Sequence, residues 1–407
     1  MHSPTKQIIK FFLKYKKIED YVFSSRFFGV LFFIVGLAIS GWIRYSAIKY
    51  ESGDYGSYLS PWYDYITNHG YWSALKDNFS NYNPPYLYLL IIASLFGGDK
   101  LISIKLISII FDYILAILVY FVVKFLVDSK NTSNGSVSPK KLSKFIPTIA
   151  FFGILFSPNI ILNSSVWSQS DVIYTAFLVA SFWFLLKEKF IWTIAFFTVA
   201  VSFKLQAIFF IPILILLFIK RKVTLLHFLV APIVYFLMML PAVIAGKTWN
   251  AVFDVYVGQQ NTYRDLTKNA PSLYVWFGGA DYELFSKFGF GLAVIFGLML
   301  CVIFWKKKLE NKEEYWLNLT LLSAVGIPFV LPKMHDRYFF IADVISIIYA
   351  YYFPKKFWIP IVINLTSFLV YLKYLFGSEV LSLPILSMVI FSVIVYLIKE
   401  NVRDLEW

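Results

Sequence analysis

Cysteine and charged residues are scarce in this sequence. The single cysteine, Cys301, excludes an internal disulfide and any metal cluster built on several thiolates. Only 15% of the residues are charged, whereas 59% are hydrophobic and the mean hydropathy is +0.68. Because so few charges cannot cover a soluble surface, we predict an integral membrane protein that uses lipid as its solvent.

The charges that are present cluster at the ends of apolar runs. Although the net charge is +13, the basic residues do not alternate with aromatic residues on one surface, so nucleic acid is not an expected partner. Such clusters follow the positive-inside rule, which places them in the cytoplasm. They lie at residues 6–17, 140–144, 187–189, 220–222, 306–308 and 355–356.

Apolar runs between these clusters predict an all-α, polytopic membrane protein with about twelve transmembrane helices. Both termini are then cytoplasmic, and the first helix is retained because no small-residue cleavage site follows it. We expect one transmembrane domain over residues 1–407. Its helices should lie near residues 27–46, 104–127, 145–162, 171–186, 190–203, 206–219, 224–245, 287–305, 316–332, 338–353, 357–376 and 380–398.

Two segments do not fit a simple series of spans. The apolar run 86–96 is bounded by proline and glycine pairs and is too short to cross the bilayer, so we expect a helix in the outer interface. The apolar stretch 190–219 has about 30 residues, and one straight pass would leave Lys204 in mid-membrane. Two short passes would instead place Lys204 at the outer face.

With this topology, the polar residues that are unusual for the chain fall on the extracytoplasmic side. The first outer loop, residues 47–103, is long enough to suggest a function. This loop and four later ones contribute Asp54, then Trp167, Gln169 and Asp171, then Lys204, then Arg264, and finally His335 and Arg337. We expect their carboxylates, amides and cations to converge on one face.

Some of these residues have a purely structural alternative. Asp54 lies between glycines, where an aspartate can simply form a turn. Asp171 could be the first residue of a helix, where a carboxylate complements the helix dipole. A lysine at the bilayer centre costs about 2.5 to 3.5 kcal/mol unless it reaches water or an anion, which favours a functional role for Lys204. The polar run from His335 to Arg337 between two apolar helices also favours function.

Five short elements, in this order, resemble the GT-C membrane glycosyltransferases, which take sugars from polyprenyl-phosphate donors. They are Gly53-Asp54-Tyr55, Asn83-Pro84-Pro85, Trp167-Ser168-Gln169-Ser170-Asp171, Lys204-Leu205-Gln206 and Met334-His335-Asp336-Arg337-Tyr338-Phe339. They look like those of bacterial relatives of the GPI-anchor mannosyltransferases, except that Asp336 stands where glutamate is expected. The resemblance implies transfer of a hexose, with mannose favoured and glucose next.

The resemblance also implies an inverting reaction in which Asp54 deprotonates an acceptor hydroxyl. Cations would stabilise the lipid phosphate as it leaves. The residues expected to orient the acceptor are Trp167, Gln169 and Asp171, and those expected to bind the donor phosphate are Lys204, His335, Arg337 and Arg264. The acceptor itself could be a glycan, a lipid or a protein. We expect no required cofactor or metal because an Asp-x-Asp pair is lacking, although a divalent ion shared by Asp54 and Asp171 stays open.

Two other classes of protein use a similar topology. A secondary transporter or lipid-sugar flippase would place charges at the bilayer midplane and contain repeats with paired broken helices, which the sequence lacks. A lipid-linked polysaccharide polymerase or ligase would concentrate arginines in large outer loops. Here only Arg264 and Arg337 fall in the outer loops after the first, so the transferase is favoured.

Overall fold

The computed structural model of the protein describes residues 26–133, 144–261 and 264–403. These ranges are predominantly helical and contain one pair of two-residue strands, which confirms the all-α prediction. The chain divides into two compact units, residues 1–47 and 48–407. In the first, the described element is helix α1 (Arg26–Ala47). A single domain over the whole chain stays a prediction.

The first half of the second unit begins with a π-helical turn, Tyr55–Leu59, and contains a second one, Leu162–Val166. Short 3₁₀ segments cover Tyr71–Lys76 and Leu205–Phe210. The α-helices are α2 (Ser60–Asn68), α3 (Pro84–Leu95), α4 (Lys100–Ser133), α5 (Ile146–Leu155), α6 (Pro158–Ile161), α7 (Asp171–Leu186), α8 (Phe190–Phe203) and α9 (Ile211–Ile219).

The second half contains the two strands, β1 (Thr267–Lys268) and β2 (Met334–His335), which pair in parallel. Its α-helices are α10 (Val230–Ile244), α11 (Trp249–Asn261), α12 (Tyr282–Lys306), α13 (Lys312–Val330), α14 (Phe340–Tyr352), α15 (Trp358–Phe376) and α16 (Leu383–Arg403). Further 3₁₀ segments cover Leu225–Leu229, Leu273–Trp276, Asp336–Phe339 and Pro354–Lys356.

Within the described residues, six helices are long and apolar enough to cross a membrane, and α5 with its bent continuation makes a seventh. These seven coincide with seven of the expected spans. Helices α7 and α8 and the segment Leu205–Ile219 are apolar but shorter, and α13 and α14 are not among the six. The protein is therefore a membrane protein, whereas the count of twelve spans stays a prediction. The basic clusters at residues 6–17 and 140–141 lie outside the described residues.

Helices α7, α13 and α14 form the interior of the second unit. Every residue of α13 from Tyr315 to Val330 is buried, including Asn318, Thr320 and Ser323. Helix α14 packs against both α13 and α15, and α7 packs against α4 and α8. Because these helices contact protein on most sides, they can carry polar side chains that a lipid-facing helix would not tolerate.

The chain breaks at two places that were anticipated from the sequence, whereas the positions of these breaks in the bilayer stay predictions. Helix α8 ends at Phe203, and Lys204 follows in extended conformation (φ −153°, ψ 133°) before the chain turns helical again. Helix α3 has 12 residues, which corresponds to about 18 Å and is too short for a bilayer of about 30 Å. Prolines at its first positions fix a helical φ and mark its start. Both breaks leave polar side chains at helix ends, where the candidate site lies.

Candidate active site

Asp54 has both carboxylate oxygens directed at side chains from other parts of the fold. Its backbone is helical and precedes the first π-helical turn, but its side chain makes no capping hydrogen bond. The turn-residue alternative therefore does not account for this carboxylate. Oδ2 accepts hydrogen bonds from Trp167 Nε1 at 2.9 Å and Gln169 Nε2 at 2.5 Å, and Oδ1 accepts one from the Tyr374 hydroxyl at 2.8 Å.

The segment that carries Trp167 and Gln169 follows the second π-helical turn and is held by its backbone. Ser52 Oγ donates to the Trp167 carbonyl at 2.6 Å, and Ser108 Oγ donates to the Gln169 carbonyl at 2.6 Å. The Trp167 side chain is fully buried and stacks on the Tyr374 ring, with centroids 4.4 Å apart. Two hydroxyls and one stacked ring thus fix the donors that face Asp54.

Asp171 is the first residue of α7, which confirms the helix-start alternative. Its side chain is also fully buried and surrounded by donors. Lys204 Nζ donates at 2.5 Å, Asn163 Nδ2 donates at 3.0 Å, and Arg337 Nε lies 3.5 Å away. Asp171 is not among the described residues that line the neighbouring polar cavity, to which Asp54 and Arg337 both contribute. It therefore holds two of the predicted cations in place, and a role in orienting an acceptor stays a prediction.

The Arg337 guanidinium lies between two carboxylates. Its Nη1 is 3.5 Å from Asp54 Oδ2, its Nε is 3.5 Å from Asp171 Oδ2, and its Cζ is 5.6 Å from the centroid of the Trp167 ring. A cation at this position offsets the repulsion between the carboxylates and supplies the charge that a shared metal would bring. No group of three or more His, Cys, Asp or Glu within the described ranges could hold a metal ion.

His335 is paired by its backbone with Lys268, because the two residues are in register on β2 and β1. Burial, together with the positive charges of Arg337, Lys268 and Lys204, lowers the pKa of His335 to about 2. The imidazole is therefore neutral at physiological pH. It can donate a hydrogen bond to a phosphate, but it does not contribute the positive charge that the sequence analysis assigned to it.

Several of these side chains line one cavity of about 650 Å³. Of the predicted residues, it is lined by Asp54, Gln169, Lys204, His335 and Arg337. Trp167 lies behind Asp54 and reaches it through its indole N–H. By contrast, the Arg264 side chain is exposed and is not among the described residues at this cavity. Predicted residues from four of the five loops thus line one cavity. The fifth loop, which contains Arg264, contributes a residue that was not predicted.

That residue is Lys268, which sequence reasoning missed, as it missed Tyr374. Lys268 lies four positions after Arg264 in the same predicted loop, and it enters the cavity because β1 pairs with β2. Tyr374 comes from the end of α15. The Lys373-Tyr374 pair near the end of a predicted helix, close to Gly377, was the available signal.

An apolar groove of about 420 Å³ adjoins the polar cavity. Leu205, Ile211 and Phe290 are among its lining residues, with others from α9, α12 and α13. Gln206 and Tyr338 line both the groove and the cavity, so the two spaces meet at these side chains. Gln206 Oε1 is buried without a hydrogen-bond partner within the described residues, which leaves it free to accept one from a ligand.

The pH dependence of stability should report on Asp336, which is buried in this cavity. Burial raises its pKa from 3.8 to about 7; the Asp54 and Asp171 carboxylates also raise it, while Arg337 opposes them. Protonated Asp336 therefore stabilises the fold at low pH, and this contribution is lost as pH rises through about 7. We expect Asp336→Asn, which mimics the neutral form, to raise the thermal midpoint relative to wild type more at pH 8 than at pH 5. An equal difference at both pH values would contradict the shifted pKa.

Comparison with known proteins places this arrangement in a family. The family model for glycosyltransferase family 87 matches residues 79–332, which is more than half of the chain. The matched region contains Trp167, Gln169, Asp171 and Lys204, while Asp54 precedes it and His335 follows it. No curated protein gives a significant match. On the strength of the family match, the chain belongs to glycosyltransferase family 87, a GT-C-like family of membrane glycosyltransferases.

Proposed function

We propose that the protein transfers a hexose from a polyprenyl-phosphate donor to an acceptor hydroxyl, with inversion at the anomeric carbon. The observation that carries this proposal is the junction at Gln206 and Tyr338 between a polar cavity and an apolar groove. An isoprenoid chain needs an apolar surface, whereas a sugar phosphate needs cations and hydrogen-bond donors. The junction offers both, and the Asp54 carboxylate lines the same cavity.

In the proposed reaction, the acceptor oxygen attacks the anomeric carbon from the face opposite the phosphate. Asp54 takes the proton from the acceptor hydroxyl as the new C–O bond forms. The bond from the anomeric carbon to the phosphate oxygen breaks, and polyprenyl phosphate leaves with the electron pair. Because attack and departure occur on opposite faces, the configuration inverts. Trp167 and Gln169 hold the carboxylate in the required orientation.

Negative charge grows on the phosphate as it leaves, so fixed donors around it lower the barrier. Lys268 and Arg337 line the cavity and are the cations that we assign to the phosphate, with neutral His335 as a further hydrogen-bond donor. Lys204 also lines the cavity, but its ammonium lies 2.5 Å from Asp171, whereas Arg337 lies 3.5 Å from both Asp54 and Asp171 and is held less closely. We assign Lys204 mainly to fixing Asp171, and through it Arg337. Arg264 has no part in this assignment.

We infer mannose as the transferred sugar, with glucose next, from the resemblance to the GPI-anchor mannosyltransferases. A direct test uses purified protein in nanodiscs with a panel of polyprenyl-phosphate sugars and a crude acceptor extract. One donor should release polyprenyl phosphate, and the release should persist in EDTA because Arg337 supplies the cation between Asp54 and Asp171. Failure across the whole panel would argue against the transferase.

The proposed orientation places both termini in the cytoplasm and the cavity outside. Cysteines introduced at Ser57, Asn261 and Ser378 should therefore react with an impermeant thiol reagent in intact cells. Ser57 and Ser378 are exposed, so access is limited only by the membrane. A cysteine at Ser138, which lies outside the described residues, should react only after lysis. Labelling at Ser138 in intact cells would overturn the orientation.

A further inference from the structure

The Tyr374 hydroxyl donates a hydrogen bond to Oδ1 of Asp54, the oxygen that we expect to act as the base in the proposed reaction. Trp167 and Gln169 both donate to Oδ2, whereas Oδ1 accepts its hydrogen bond from the Tyr374 hydroxyl at 2.8 Å. Trp167 is fully buried and Gln169 nearly so, but the Tyr374 side chain is 40% exposed. Of the three donors, Tyr374 is therefore the one that an incoming molecule can displace.

The fold holds Tyr374 in this position without clamping its hydroxyl. The ring stacks on Trp167 at an interplanar angle of 18°, and the Tyr50 hydroxyl donates to the Leu375 carbonyl at 2.5 Å, which anchors the end of α15. The Tyr374 hydroxyl also lies over Gly53, where an added Cβ would be 3.4 Å from the Tyr374 oxygen, an ordinary van der Waals contact. Among the described residues, the hydroxyl is seen to donate only to Asp54.

A general base must offer an oxygen lone pair to the hydroxyl that it deprotonates, and a hydrogen bond donated to a carboxylate makes it a weaker base. On the basis of the proposed function, we propose that Tyr374 is a positioning residue whose hydroxyl fills the acceptor-hydroxyl position at Asp54 and excludes water from it. The acceptor displaces this hydroxyl when it binds. Until then, the cavity holds the donor without a nucleophile beside the base.

The side reaction that Tyr374 suppresses is hydrolysis of the donor. A water molecule at Oδ1 would pass a proton to Asp54 while its oxygen bonds to the anomeric carbon. Polyprenyl phosphate would leave with the electron pair of the broken C–O bond, and free hexose would be the second product. Hydrolysis requires no reactant other than the donor and water, so a hydroxyl that fills the position at Oδ1 opposes it.

The test compares Tyr374→Phe with wild type, using polyprenyl-phosphate mannose as the donor probe. Phenylalanine keeps the stacking on Trp167 but leaves Oδ1 open to water. Release of free mannose without acceptor should rise about 10-fold, as expected when a hydrogen bond to a charged group no longer opposes water. Transfer to a crude acceptor extract should change much less, so the ratio of hydrolysis to transfer rises. Adding Asp54→Asn to this variant should abolish the extra hydrolysis.

Tyr371→Phe is the matched control. The Tyr371 ring also packs against the Trp167 ring, with centroids 5.2 Å apart, but its buried hydroxyl has no hydrogen-bond partner within the described residues. Its removal should leave the ratio of hydrolysis to transfer unchanged. If wild type transfers mannose and Tyr374→Phe leaves the ratio unchanged, the role of Tyr374 is wrong while the transferase stands. If wild type consumes none of the polyprenyl-phosphate sugars in the panel, the proposed function fails and this inference fails with it.

Discussion

Asp54→Asn should lower hexose transfer by at least about 100-fold, because loss of a general base typically costs about 10²- to 10⁴-fold. Asparagine is nearly isosteric with aspartate but cannot accept a proton at neutral pH. Its amide oxygen can still accept from Trp167 and Gln169, and its amide nitrogen can donate to the Tyr374 oxygen. The variant should therefore fold and bind the donor with nearly unchanged affinity.

The control for this change is Asp64→Asn in the same outer loop. Asp64 is exposed and forms an ion pair with Lys100 at 2.8 Å, a type of contact worth about 1 kcal/mol or less. Transfer by this variant should stay close to wild type. The measurement is release of polyprenyl phosphate by equal amounts of folded protein, alongside donor binding. Near-normal transfer by Asp54→Asn would show that Asp54 is not the base, and Asp336, which also lines the cavity, would be tested next.

It was predictable that the candidate-site residues lie together, because only residues in loops on the same side of the membrane can contact one another. The basic clusters assign each loop to the cytoplasmic or the extracytoplasmic side, and polar residues assigned to the extracytoplasmic side are then expected to lie near one another. Asp54, Gln169 and Arg337 were brought together by that argument alone, and the structure places them at one cavity. Lys268 was not predictable, since a two-residue strand has no periodicity that a sequence can display.

The ion pair between Lys204 and Asp171 could not be predicted from the sequence either. Both residues were predicted in outer loops, but they are 33 positions apart in the sequence and were given separate roles. Whether the two charges meet depends on how closely α7 packs against α8, which hydropathy does not encode. The helices themselves were predictable, whereas the count of twelve spans stays a prediction, because buried helices such as α13 carry polar residues that lower their hydropathy.

Lys204→Met should destabilise the protein by about 3 to 5 kcal/mol, the typical cost of removing one partner from a buried ion pair. Asp171 is fully buried, and without Lys204 its remaining partners among the described residues are Asn163 and the more distant Arg337. Protein abundance and thermal midpoint should both fall. Lys49→Met removes an exposed ion pair with Asp99 and should cost about 1 kcal/mol or less. A lysine that served only to bind phosphate would instead lose turnover with abundance unchanged.

Combining Lys204→Met with Asp171→Asn separates the two roles of the lysine. The asparagine removes the uncompensated charge, so the double variant should recover most of the abundance lost by Lys204→Met, and the two changes should be strongly non-additive. Its specific transfer activity should nevertheless stay at least about 10-fold below wild type, because Arg337 loses the carboxylate that holds its Nε and is no longer fixed beside the leaving phosphate. Additive losses of stability would show that the ion pair is not coupled. Recovery of full activity would show instead that Arg337 holds its position without Asp171, and that neither member of the pair acts on the donor.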